Sequence, residues 1–240
     1  MCGRLNVTDN PLVIGLLEGL GMPLNVSVRP GALRTGRFIR ATSTISVVLE
    51  HQGQRRLQDA IWWLLLEPTE TGFKPSQYTS FNTRSDKLNT KGCAGYIPFR
   101  LQRCIVPASG FGETELIDGK SVYHDFIGEK AIAFGGLYRT WLNKDTGELT
   151  HSCSIITLPP HPKLMPYHSK AMPLMLPPKQ FDLWLSPQQK DVAVFDDLLK
   201  PVMRQKLIGF QIDKPSHFQQ IGREFELSAD LDNQNSVRSD

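Results

Sequence analysis

Four side chains carry most of the chemistry that this sequence offers: the thiol of Cys2, the amide of Asn82, the carboxylate of Glu113 and the imidazole of His168. The small residue after Met1 permits removal of the initiator, which leaves Cys2 with a free α-amine beside its thiol. An α-amine has an ordinary pKa near ~7.7–8.0, so a useful fraction is neutral and nucleophilic near neutrality. The thiolate is a strong nucleophile in its own right. Two reactions suit this pair. The thiol can attack an amide carbonyl with the amine as base, or the amine can form a Schiff base with an aldehyde and the thiol then close a thiazolidine ring. Only an N-terminal cysteine supplies both groups for the second.

Three later motifs hold the possible partners. In Phe81-Asn82-Thr83-Arg84 an amide and a guanidinium sit two residues apart, hence on one side of an extended strand. Ser109-Gly110-Phe111-Gly112-Glu113 presents a carboxylate from what reads as a glycine-rich turn. Tyr167-His168-Ser169-Lys170-Ala171-Met172-Pro173 sets an imidazole just ahead of the apolar run 174–176. Each motif alone also suits a plainer use: a turn-capping asparagine, a solvated glutamate, a hydrogen-bonded loop histidine.

The elements that must position these groups are mostly strands. Asn10-Pro11 reads as an N-cap followed by proline at the first helical position, with Val13, Leu16, Leu17 and Leu20 on one face and Gly21 as the stop. After a turn at Arg29-Pro30-Gly31, residues 44–50, 57–66, 103–107, 122–127, 131–138 and 152–158 are rich in β-branched and aromatic types. Gly119, Gly128 and residues 143–147 supply hairpin turns between several of them. Helices are predicted over 178–185 and 191–206. Strands this closely spaced predict an α+β single domain over 1–227, with a mostly antiparallel, barrel-like β core flanked by short helices. The polar stretch 228–240 reads as a disordered tail.

Composition narrows the function classes. Of 240 residues, 40% are hydrophobic and 21% charged, as in an ordinary soluble domain. No apolar run is long enough to cross a bilayer as a helix, and no secretion signal is visible, so the expectation is a cytoplasmic monomer. The four cysteines, Cys2, Cys93, Cys104 and Cys153, form no C-x-x-C pair, and Cys104 and Cys153 sit in apolar runs as inert core thiols. No metal-ligand cluster or nucleotide-binding glycine loop appears, so no metal and no cofactor are expected. The net charge of +3 permits nucleic-acid binding without requiring it.

Taken in order, Met-Cys-Gly-Arg, Asn-x-Arg, Pro-x-x-Gly-x-x-Glu and a histidine ahead of Met-Pro and an apolar strand resemble the SOS response-associated peptidase (SRAP) family of abasic-site processing proteins. The resemblance implies a sensor of abasic sites in single-stranded DNA that captures the lesion covalently through Cys2, nucleoid-associated while bound. It implies a site completed by Asn82, Glu113 and His168, with Arg4, Arg84 and Trp62 along the DNA groove; Lys91 and Lys170 are further phosphate candidates by their charge. Trp62 has a second use, as a core side chain. The sequence departs from the family where Trp63 follows Trp62, where Gly112 and Thr114 flank the glutamate, and where Lys170 and one extra residue follow His168. Two other classes fit an N-terminal cysteine less well. A glutamine amidotransferase also begins Met-Cys-Gly, but no glutamine-pocket segment follows. A non-enzymatic single-strand-binding module would leave Cys2 without a role.

Overall fold

A computed structural model describes residues 3–8, 11–22 and 33–230. Cys2, the Asn10 cap, the Arg29-Pro30-Gly31 turn and the residues beyond Asp230 lie outside them. The elements run β1 (Arg4–Val7), α1 (Pro11–Gly19), β2 (Gly36–Arg40), β3 (Thr44–His51), β4 (Gln54–Ile61), β5 (Leu66–Thr69), β6 (Gly72–Pro75), β7 (Asn82–Arg84), α2 (Tyr96–Leu101), β8 (Arg103–Ile117), β9 (Lys120–Leu142), β10 (Leu149–Leu158), β11 (Met172–Pro173), α3 (Phe181–Leu185), β12 (Leu207–Ile212) and β13 (Phe225–Leu227).

The principal sheet runs β13-β12-β9-β10-β4-β3-β8-β1-β2, and β8 also pairs with β9. That extra pairing closes β8, β9, β10, β4 and β3 into a ring, the barrel-like core that the strand spacing predicts. Its pairs are antiparallel except β10 with β4 and β10 with β7. Closed strands leave no edge among themselves, and the interior fills with Ile45, Val47, Val106, Phe134, Cys153 and Ile155. Cys104 and Cys153 are fully buried, and burial pushes both thiols up, so neither is a nucleophile. Among the described residues no helix is long and apolar enough to cross a membrane.

Four predicted elements take a different form, the first being the strand expected over 57–66, which ends at Ile61. The stretch 109–113 is not a turn but the middle of β8. Its glycines make room rather than reverse the chain: a Cβ on Gly110 would stand 2.4 Å from the Phe126 carbonyl oxygen. Gly128 likewise lies inside one 23-residue strand, β9, opposite Leu207, while Gly119 does make the β8/β9 hairpin turn with φ 76°. Residues 191–206 form a 3-10 turn at Val192–Phe195, capped by Asp191, in place of a long helix. The i, i+3 spacing of Val192, Phe195 and Leu198 suits that tighter winding equally well, and Pro201 removes a helical donor.

Candidate active site

β8 and β9 alternate their side chains between two faces. Glu113 pairs with His124 and shares a face with Phe111 and Phe126, whose rings stack at 5.0 Å. The opposite face carries Arg4, which pairs with Gly112 across β1 and β8. The Arg4 guanidinium is buried and donates to Thr114 Oγ1 at 2.7 Å and to the Glu113 carbonyl at 2.7 Å. β1 is thereby strapped to the strand that bears Glu113.

His168 reaches Glu113 from the other side. It ends a compact turn in which its N–H donates to the Leu164 carbonyl at 2.8 Å. Beside it the Tyr167 ring stacks on Phe225 at 3.8 Å. Four residues later Met172 pairs with Leu158 at the end of β10, and residues 174–176 continue between β9 and β10. The same end of β10 carries β7, with Asn82 opposite Ile155.

The result is a buried pair. His168 Nε2 lies 3.5 Å from Glu113 Oε2, with the side chains 1% and 2% exposed. Burial is the largest influence on both groups: it pushes the Glu113 carboxyl up to about 7 and the His168 imidazole down to about 4. At neutral pH the ring is therefore uncharged, and the contact is not an ion pair. A carboxyl that holds its proton about half the time at pH 7, beside a neutral imidazole, is a competent proton donor or acceptor.

A clasp from the chain's last described residues holds this loop. Asp230 takes His161 Nε2 at 2.9 Å, Lys163 Nζ at 2.8 Å and the Met203 N–H at 2.8 Å. Ser228 to Asp230 thus stay attached beyond the expected boundary at 227. Loss of these bonds in Asp230→Ala is expected to cost about 2 kcal/mol and lower Tm by roughly 5 °C. Thermal denaturation followed by circular dichroism checks it.

The remaining expected site residues are more scattered. Trp62 takes the core alternative: it is 0% exposed and its Nε1 donates to the Phe81 carbonyl, so no face is left for a base. Arg4 points inward and does not reach solvent as a phosphate contact would. Arg84 is exposed and bidentate to Asp86, at 2.9 and 2.7 Å. Lys91 lines a hollow of about 750 Å³ with Tyr78, Tyr96 and Arg139. Lys170 is exposed two residues after His168. Residues that the motifs did not single out are Glu115, Ser169, His124 and Asp125. Glu115 shares the Glu113 face at i+2, a signal that becomes readable once 103–117 is recognised as one strand. Among the described residues no group of histidine, cysteine and acidic side chains could hold a metal ion.

A family model described as "SOS response associated peptidase (SRAP)" matches residues 1–215, and the chain belongs to this family. Two Bacillus subtilis relatives are similar in sequence. Abasic site processing protein YobE is 29% identical over 175 residues, 72% of this chain and 78% of its own. Abasic site processing protein YoqW is 27% identical over 177 residues, 72% of this chain and 77% of its own. The fold resembles crystal structures of a Bordetella bronchiseptica protein (TM-score 0.66, 17% identity, 89% of this chain and 100% of that one) and a Bacteroides thetaiotaomicron protein (TM-score 0.65, 20% identity, 89% and 93%).

Proposed function

We propose that the protein processes abasic sites in single-stranded DNA by forming a thiazolidine crosslink through Cys2 once Met1 is gone. The observation that carries this reading is the buried Glu113–His168 pair, protonated at neutral pH to an extent suited to acid catalysis. Cys2 is covalently joined to Gly3, at the head of the strand that Arg4 straps to β8, and the names of the Bacillus relatives point to the same lesion.

The open-chain abasic sugar is an aldehyde. The Cys2 α-amine adds to its carbonyl carbon, giving a carbinolamine. Glu113 protonates the departing hydroxyl, one water leaves and the C=N bond of the Schiff base forms. The nitrogen still carries its proton at that stage. As the Cys2 thiolate adds to that carbon, the C=N π pair returns to nitrogen and the five-membered ring closes, while the proton given up by the thiol restores Glu113. Asn82 orients the amine or the sugar by hydrogen bonding. Arg84, Lys91 and Lys170 supply cations for flanking phosphates.

A single-stranded oligonucleotide with one abasic site, incubated with the protein and run on a denaturing gel, tests the reading. The expected result is a heat-stable adduct with the Met1-free protein and none with Cys2→Ala. Absence of that adduct from protein shown by mass spectrometry to start at Cys2, or an equal adduct from Cys2→Ala, overturns it.

A further inference from the structure

Glu115 lies two residues beyond Glu113 on β8, so both carboxyl groups leave the same face of the strand. Glu115 Oε2 is 3.4 Å from His168 Nδ1, while Glu113 Oε2 is 3.5 Å from Nε2. The imidazole is held between two carboxyl groups. The same Glu115 carboxylate accepts the Ser169 N–H at 2.9 Å and the Ser169 hydroxyl at 3.1 Å. One side chain therefore bonds the backbone that follows the ring and stands within reach of the ring itself.

The two glutamates live in unlike surroundings. Glu113 is 2% exposed and Glu115 15%. Burial pushes both carboxyls up, but at Glu115 the Ser169 hydrogen bonds and the neighbouring His168 and Lys170 outweigh it and hold the group below its ordinary range. Two carboxyl groups driven apart in this way take separate roles, one keeping a proton and one staying ionised. A neutral imidazole has a single ring N–H to offer. Among the described residues Glu113, Glu115 and the Thr114 carbonyl between them on β8 lie near enough to accept it. The ionised carboxylate is the strongest of the three, and it accepts only.

We propose that Glu115 is a positioning residue, which draws the ring proton to His168 Nδ1 and leaves the Nε2 lone pair facing Glu113. In that arrangement Nε2 can accept the proton of Glu113 and return it, so the pair can serve the dehydration and its reversal alike. Second acceptors of this kind commonly fix the tautomer and the plane of a functional histidine. The proposal rests on the reading of Glu113 and His168 as the acid–base pair.

Glu115→Gln tests it, because glutamine keeps an acceptor oxygen for Ser169 and loses the charge. Long-range proton–nitrogen NMR on the DNA-free protein reads the His168 tautomer. Single-turnover capture reads the rate at saturating oligonucleotide, and an undamaged strand reads affinity. Expected are a His168 shifted away from the Nδ1–H form, capture slowed about tenfold and affinity within about twofold of wild type. Glu115→Asp, with its charge kept, is expected to retain the tautomer even where Glu115→Gln folds poorly. An unchanged tautomer in Glu115→Gln, or its loss to the same extent in Glu115→Asp, overturns the positioning role. Failure of wild type to capture the lesion overturns the functional reading alone, since the NMR comparison needs no DNA.

Discussion

Glu113→Gln is expected to slow abasic-site capture by about a hundredfold and, at the same time, to make the folded protein more stable near pH 8. Both effects follow from one buried carboxyl. Burial raises it from 4.5 to about 7. A group raised in this way contributes stability that is fully present below its unfolded pKa and is lost as pH rises through the folded one. The loss between pH 4.5 and 7 is on the order of 3 kcal/mol. Glutamine cannot ionise, so the variant should hold its stability across that window. Urea denaturation at pH 5 and pH 8 checks this. The wild type should weaken at the higher pH and the variant should not. The rate should respond in a complementary way. Capture needs a neutral α-amine, which favours pH above ~7.7, and a protonated Glu113, which favours pH below about 7. Wild type should therefore show a bell-shaped profile with its maximum near neutrality, and Glu113→Gln should lose the falling limb. Parallel profiles for the two proteins would remove Glu113 from proton transfer.

Much of this arrangement can be read before folding, and the exceptions have physical causes. Helix α1 and strands β3 and β10 follow from apolar periodicity and β-branched runs, because their buried faces are regular. The two longest strands do not, since glycine in a sequence reads as a turn. At Gly110 it instead lets two backbones approach, with the Phe126 carbonyl occupying the space of a side chain. Asn82, Glu113 and His168 stand out because they sit in ordered motifs. Glu115 and Asp230 do not, since a lone acidic residue in a polar stretch looks solvated. Only the folded 161–169 loop shows that one grips Ser169 and the other His161 and Lys163. Trp62 and Arg4 attract notice as DNA contacts through the family resemblance, and Arg4 also through its place close to Cys2. Their direction is a tertiary property: the Trp62 N–H finds the Phe81 carbonyl, and the Arg4 fork finds Thr114 and Glu113.

That inward Arg4 makes Gly112→Ala a damaging substitution even though it adds only a methyl group. A Cβ at Gly112 would stand 2.6 Å from Arg4 Nε, 2.8 Å from Arg4 Nη2 and 2.8 Å from Asp125 Oδ1. Arginine ends usually yield to such a contact at little cost. This one is fixed by Thr114 Oγ1 and the Glu113 carbonyl, each at 2.7 Å. Asp125 has no room to give either. It is 0% exposed, accepts from Asn6 Nδ2 at 3.1 Å and faces Arg37 at 3.6 Å. Moving Arg4 therefore strips a buried carboxyl of a compensating charge as well as breaking two hydrogen bonds. Overpacking and lost pairing together are expected to cost about 3 kcal/mol, and to lower Tm by about 6–12 °C. Capture should fall with stability, since β1 is the strand to which Cys2 is attached. Gly15→Ala supplies the control: that glycine, in α1, has nothing within 4 Å of a Cβ, and alanine there should stabilise the helix by up to about 1 kcal/mol with capture unchanged. If Gly112→Ala instead melts with wild type, the guanidinium is free to swing aside, and the strap between β1 and the Glu113 strand does not depend on it.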